Sequence, residues 1–422
     1  MTTSTADAVR STSRPRVWAL PARLDAPLTS YYLVLGATIA LACIGLVMVL
    51  SSSSVDAIAN QDSPFTEFWS QMMFAAIGVP LMYVASRVSI RSWNVGAWFL
   101  LVVALLLQVL VFSPLGVAVN GNQNWIALFG FTLQPSEVCK FALIVWSAAV
   151  LARKRPLLDQ PIHVLIPVVP AAGLVLGLVL IGHDLGTSLV LMALVGTVLF
   201  IAGAPLRLFA IALGVGALLV QVMVTGSQNR MGRIGYWLSG CTNATADSAG
   251  WYDGCLQARH GMWALASGGW LGVGLGGSRE KWGLLPEAHN DFIFAVIGEE
   301  LGLLGTLVVL GLFAILGYGL FRIVLRSDDL FVKIATSGVL TWVLGQAVIN
   351  IGAVLGLLPV VGLPLPLVSS GGSALIMTML ALGMVIGFAR REAGAPEALA
   401  AHGGLVHRSL AVLPVRRDRR AR

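Results

Sequence analysis

The chain has 422 residues, 57% of them hydrophobic and only 11% charged, with a mean hydropathy of +0.85 and a net charge of +7. Those proportions exclude a soluble globular domain and place the chain among all-α polytopic integral membrane proteins. No nucleic-acid partner is expected, because the positive charge falls where a topology signal would put it, as the loops show.

Residues 1–28 are polar, bear Arg and are rich in Ser and Thr. No small-residue cleavage site follows the first apolar run, so the segment is read as a retained basic tail. Ten apolar runs long enough to cross a ~30 Å hydrocarbon core follow, at approximately 31–50, 68–86, 94–112, 135–152, 162–181, 185–203, 207–225, 291–322, 331–356 and 371–389. Lys and Arg concentrate in alternate connections, around Arg87 and Arg91, Arg153 to Arg155, Arg207, Arg322 to Lys333, and in both tails. The other connections hold Arg230, Arg233, Arg259, Arg279 and Lys281, while Lys140 lies inside the fourth run. By the positive-inside rule both termini are expected in the cytoplasm and residues 226–290 form the large extracellular loop. The membrane domain is expected over 29–390. Residues 391–422 are read as a disordered basic tail whose Arg416, Arg417, Arg419 and Arg420 suit anionic membrane lipid or simply anchor topology.

The outer connections carry the chemistry. Before the fourth run stands Gln134-Pro135-Ser136-Glu137-Val138-Cys139-Lys140, where Pro135 suits a first helical turn and Glu137 and Lys140 share a helix face. Two readings stand: an internal ion pair, or the floor of a polar cavity. His183-Asp184-Leu185-Gly186-Thr187 breaks the chain before the sixth run, where Asp184 either caps a helix or lines the cavity. In the large loop, Cys241 and Cys255 are expected to form a disulfide in an oxidising exterior, while Cys43 and Cys139 are expected to pack in spans. Asn243-Ala244-Thr245 fits a glycosylation sequon weakly. The run from Gly268 to Gly277 lacks the βαβ context of a dinucleotide loop and is read as backbone that must pack or turn closely. Leu285-Pro286-Glu287-Ala288-His289-Asn290-Asp291-Phe292-Ile293-Phe294 then leads charged groups into an apolar run reaching Glu299 and Glu300. A charge taken toward bilayer depth costs upward of ~2.5 kcal/mol, so acids kept there mark a functional site. Pro364 to Ser373, with Ser369 and Ser370, forms a further polar break before the last run.

Taken in order, Pro135-Ser136-Glu137-x-x-Lys140, Asp184-Leu185-Gly186-Thr187, the long motif around Asp291, and Gly298-Glu299-Glu300-Leu301-Gly302 resemble the SEDS family (shape, elongation, division and sporulation) from about Leu33 to Arg390. The resemblance implies a plasma-membrane enzyme that polymerises lipid II, an undecaprenyl-diphosphate disaccharide-pentapeptide, on the extracellular face. Asp291 matches the family's essential aspartate and is the expected general base. Lys140, Arg230, Arg233 and Lys281 are candidates for the diphosphate, Lys140 and Lys281 matching family lysines. Glu137 and Trp125 match a family glutamate and a loop tryptophan. Asp184, His289, Glu299, Glu300, Ser369 and Ser370 are expected to organise the cavity. Gln123 and Asn124 stand before Trp125 where the family usually has an arginine, His183 replaces a common proline, and Ser370 replaces a common aromatic; these departures weaken contact assignments there.

Gly298 and the stretch from Gly356 to Ser373 favour the division branch over the elongation branch. The resemblance further implies a class B penicillin-binding protein and other division proteins as partners, at the septum. No cofactor is evident and no metal-ligand spacing is recognisable, which leaves a divalent cation, Mg or Mn, open at the diphosphate. A lipid II transporter is the rival reading, and a noncatalytic scaffold a weaker one. Polar groups gathered at one face, opposite short basic loops, suit one-sided chemistry better than alternating access.

Overall fold

A computed structural model of the chain describes residues 26–59, 63–119, 122–128, 131–226, 228–238 and 254–401. Most of both basic tails, Cys241 and the sequon at Asn243 lie outside the described residues. Among those described, nine helices are long and apolar enough to cross a membrane: α1 (Thr29–Ala59, apolar span Thr29–Ser54), α2 (Thr66–Arg87), α3 (Ile90–Leu110), α4 (Pro135–Arg153), α5 (Pro161–Ile181), α7 (Leu206–Thr225), α10 (Ile293–Arg326), α11 (Leu330–Val354) and α12 (Gly372–Ala389). The tenth expected span is α6 (Leu185–Ile201), apolar but only 17 residues long. The chain is a multi-pass membrane protein. Two shorter helices, α8 (Gln228–Leu238) and α9 (Gly254–Gly268), lie in the large loop, and α13 (Ala395–Ala401) follows α12.

The segment between α3 and α4 adds a small antiparallel sheet, β1 (Gly116–Val119), β2 (Asn122–Leu128) and β3 (Phe131–Leu133) in that order. Its runs are too short for a span, and their Val, Trp, Ile and Phe suit a pleated surface. The amide N–H of Gln123 in β2 donates to the Gly182 carbonyl (3.0 Å), which ties the sheet to the α5–α6 turn.

Burial ranks the helices. In α4, 83% of the span is buried, against 67% in α11, 72% in α12 and 6% in α7. Thus α4, α11 and α12 form the interior, and α7 turns nearly its whole surface outward. Cys139 packs inside as expected; Cys43 does not, being exposed on α1. Cys255 is buried and disulfide-bonded, and the partner expected of it lies outside the described residues.

Near its N-terminal end α10 is broken at Gly302, whose backbone (φ 67°, ψ −165°) leaves the helical region. A break at membrane depth frees backbone groups that must be satisfied by protein. The glycine-rich run does this. The N–H groups of Val273 and Gly274 donate to the Glu299 and Glu300 carbonyls (2.9 and 3.0 Å), while those of Leu303 and Leu304 donate to the Gly269 and Trp270 carbonyls (2.9 and 3.3 Å). Only glycine fits at the crossing. A Cβ on Gly272 (φ +79°) would lie 2.1 Å from the Glu300 carbonyl oxygen. Gly272→Ala is therefore expected to cost on the order of 1–3 kcal/mol from backbone strain and more from the clash. The check is thermal unfolding in detergent, with Gly274→Ala, where a Cβ meets open space, as the milder comparison.

Candidate active site

The long motif forms a tight loop directly before α10. Glu287 sits in the left-handed region (φ 58°), and its carbonyl accepts from the N–H groups of Asn290 and Phe292 (3.1 and 3.2 Å). That turn points Asp291 toward the segment linking α11 to α12, where a Cβ on Gly362 would lie 3.5 Å from Asp291 Oδ2. Asp291 stands in the turn preceding the spanning helix. With Phe292, Asn350, Val360, Val361 and Gly362 it lines a small pocket. Its Oδ1 is buried and has no hydrogen-bond partner among the described residues. Burial pushes its carboxyl up to about 7; the neighbouring Glu287 carboxylate adds to the rise and the Arg233 guanidinium opposes it.

Arg233 reaches the site from α8, where its Nη1 donates to the Val360 carbonyl at 3.5 Å. The Trp237 indole N–H, one turn further on, donates to the Gly356 carbonyl (3.0 Å), so two residues of α8 bind the α11–α12 segment. Arg230 stands one turn earlier in the same helix.

Hydrogen bonds fix the Asp291 loop to the α11–α12 segment. Ser369 Oγ donates to the Asn290 carbonyl (2.6 Å) and accepts from the Leu365 N–H (2.7 Å). The Ser370 N–H donates to the His289 carbonyl (3.0 Å). Asn350, on α11, donates from Nδ2 to both the Asp291 and Leu363 carbonyls (2.8 and 2.7 Å). From α2, Gln71 Nε2 donates to the Ser369 carbonyl and its Oε1 accepts from the Gly371 N–H (3.2 and 3.3 Å).

Glu137 and Lys140 form an ion pair (2.8 Å) in the first turns of α4, both fully buried or nearly so. Lys140 Nζ also donates to Gln346 Oε1 (3.1 Å) and lies 4.9 Å from the centre of the Trp342 ring, while Gln346 Nε2 donates to the Pro364 carbonyl (2.9 Å). Of the two expected readings the internal ion pair is what the geometry shows, and through Gln346 it props the segment facing Asp291. Lys140→Ala would strand a buried carboxylate, a loss of about 3–5 kcal/mol when one partner of such a pair is removed. The paired change Glu137→Gln with Lys140→Met is expected to unfold at a higher temperature than Lys140→Ala alone.

Asp184 caps α6, its Oδ1 accepting from the Thr187 N–H and its Oδ2 from the Thr187 hydroxyl (2.8 and 2.7 Å) and from Gln134 Nε2 (3.3 Å). Capping, one of its two expected roles, is what the geometry shows. Trp125 lies in β2 opposite Val117. Glu299 and Glu300 turn away from the Asp291 pocket into a second buried cluster. Glu299 accepts from the Ser278 hydroxyl and the Arg279 N–H; Glu300 pairs with Lys281 (2.8 Å) and accepts from Ser51 Oγ (2.6 Å). Lys281, expected to meet diphosphate, is 3% exposed and has Glu300 and Ser51 as its partners in this structure.

Sequence reasoning overlooked Asn350, Gln346, Gln71 and Ser51. The signal for the first two was present: Trp342, Gln346 and Asn350 recur every four residues through an apolar span, which marks one helix face.

A multi-pass membrane helix bundle with a raised carboxyl in a pocket at the start of α10 defines the class. The sequence matches the FtsW/RodA/SpoVE family, described as cell cycle proteins, over residues 31–393. Among curated relatives, the probable peptidoglycan glycosyltransferase FtsW of Mycobacterium tuberculosis is 40% identical over 92% of this chain and 72% of its own length. The corresponding protein of Coxiella burnetii is 36% identical, covering 83% and 93%, and the stage V sporulation protein E of Bacillus subtilis 35%, covering 84% and 95%. Two solved structures share the fold. One, from work on the structural coordination of polymerization and crosslinking by a peptidoglycan synthase complex, has a TM-score of 0.67 at 28% identity over 85% of this chain and 96% of that one. The other, the rod shape determining protein RodA of Thermus thermophilus, has a TM-score of 0.61 at 27% identity over 86% and 97%. The chain belongs to the FtsW/RodA/SpoVE family, as its motifs indicated.

Proposed function

We propose that the chain is a peptidoglycan glycosyltransferase that polymerises lipid II on the extracellular face of the plasma membrane during septal wall synthesis. The observation that carries this reading is Asp291 itself: a carboxyl raised to about 7, with a buried unpartnered oxygen, in a pocket that Arg233 adjoins. A carboxylate so poised can accept a proton near neutral pH. It takes the proton of the acceptor GlcNAc 4-hydroxyl as that oxygen attacks C1 of the donor MurNAc. The C1–oxygen bond to the diphosphate breaks, undecaprenyl diphosphate leaves with the electron pair, and inversion gives a β-1,4 bond. Diphosphate is a good leaving group, so its need is cationic stabilisation, which Arg233 and Arg230 of α8 supply. Lys140 and Lys281 act from behind, holding the walls. Among the described residues no group of three or more His, Cys, Asp or Glu could hold a metal ion, and we assign any Mg or Mn requirement to the substrate's diphosphate.

The division role is supported by the curated relatives named FtsW. Likeness to a synthase that couples polymerization to crosslinking supports a partner that crosslinks, for which we propose a class B penicillin-binding protein. The test is polymer formation from purified lipid II by the chain with that partner, transpeptidation blocked, read on a glycan gel. Failure of a confirmed complex to extend lipid II would remove the proposed activity.

A further inference from the structure

Asn350 is 4% exposed and lies on α11, one turn after Gln346. Both partners of its Nδ2 are backbone carbonyls, those of Asp291 and Leu363, and only the NH₂ end of an amide can serve two acceptors. The orientation is thereby fixed by chemistry, and both donors are engaged. Its Oδ1 is left buried with no partner among the described residues, as is Asp291 Oδ1, and the two residues line one pocket. A buried amide oxygen without a donor costs free energy unless a ligand supplies one. Two acceptors without a partner in one pocket, otherwise walled by Phe292, Val360, Val361 and Leu363, call for a ligand that brings hydrogen-bond donors. A sugar ring with hydroxyl and N-acetyl N–H groups has them, whereas a bare diphosphate has none.

We infer that Asn350 is a substrate-binding residue that also positions Asp291: its NH₂ clamps the Asp291 backbone to the α11–α12 segment, and its Oδ1 accepts a hydrogen bond from the sugar that presents its hydroxyl to Asp291. This deepens the proposed glycosyltransferase reading and rests on it for the identity of the sugar. The two are separated by measuring binding apart from turnover. In the Asp291→Asn background, equilibrium binding of lipid II in nanodiscs is compared with and without Asn350→Leu, a change of similar size that suits an apolar helix. At least a tenfold weakening is expected. Unchanged affinity, or no lipid II binding by the Asp291→Asn chain at all, overturns the inference even if the chain proves to polymerise.

A second variant reads the positioning role. Asn350→Asp keeps an acceptor oxygen but sets a carboxyl beside Asp291, so the pH at which polymerisation reaches half its maximum should rise by more than one unit. An unmoved pH profile would mean that the side chain at position 350 does not face the Asp291 carboxyl, and that outcome also overturns the inference.

Discussion

Asp291→Asn is expected to abolish glycan polymerisation, with a loss of at least ~10²–10⁴-fold, the range that a positioned base contributes. The variant keeps size and shape and removes only the ability to take a proton. Since Asp291 accepts no hydrogen bond at Oδ1 among the described residues, the amide breaks no internal contact there, and the protein should purify and bind its partner as the wild type does. The pH dependence gives a sharper check. A base whose carboxyl is raised to about 7 from an ordinary value of 3.8 is mostly protonated at pH 6, so kcat/KM should climb with pH through about 7. Folding runs the other way. Between about 4 and 7 the native state holds a proton that the unfolded chain has released, so this group's contribution to stability falls as pH rises through that window. The two charged neighbours carry opposite signs. Arg233 draws the carboxyl down and Glu287 pushes it up, so Arg233→Ala should move the activity limb to higher pH and Glu287→Gln to lower pH. Shifts in the same direction in both variants would remove Asp291 as the titrating group.

What could be read from the sequence, and what could not, follows from the range of the interactions. Asp291 and the Glu137–Lys140 pair were legible because charges inside apolar runs are costly, and because the pair closes within one helical turn. Nine of the ten expected spans were legible from length and hydropathy among the described residues, and the tenth, α6, is apolar but only 17 residues long. Asn350, Gln346 and Gln71 were not singled out. An uncharged amide in a span raises little alarm, and its meaning here depends on carbonyls at Asp291, Leu363, Pro364 and Ser369, which the chain brings in from far along the sequence. The run from Gly268 to Gly277 could be seen to need close packing, yet its partner, the break in α10 at Gly302, is a helix defect that composition alone hides. The two lysines matched on motif show the same limit. The identity of both was readable and so was the Glu137 partner of Lys140, but only the fold shows Lys281 paired with the buried Glu300.

Lys281→Met is expected to destabilise the protein about as strongly as Lys140→Ala. The ammonium is the counter-ion of Glu300, which has no exposed surface, and it also donates to the Ser51 carbonyl and hydroxyl (3.1 and 3.2 Å). Removing it leaves a buried carboxylate with only Ser51 and, more distantly, the Ser278 N–H, at a cost of about 3–5 kcal/mol. The damage would not stay local. The Glu300 carbonyl belongs to the α10 break and receives the Gly274 N–H, so loosening this side chain loosens the loop that satisfies the break. The same broken helix begins two residues after Asp291, so activity should fall together with stability. The decisive comparison is Lys281→Met with Glu300→Gln. A neutral glutamine keeps the acceptor for Ser51 without a buried charge, so the double variant should recover much of the unfolding temperature lost by Lys281→Met. If the two unfold alike, the ion pair is not what holds the loop, and the backbone bonds across the Gly302 break hold it alone.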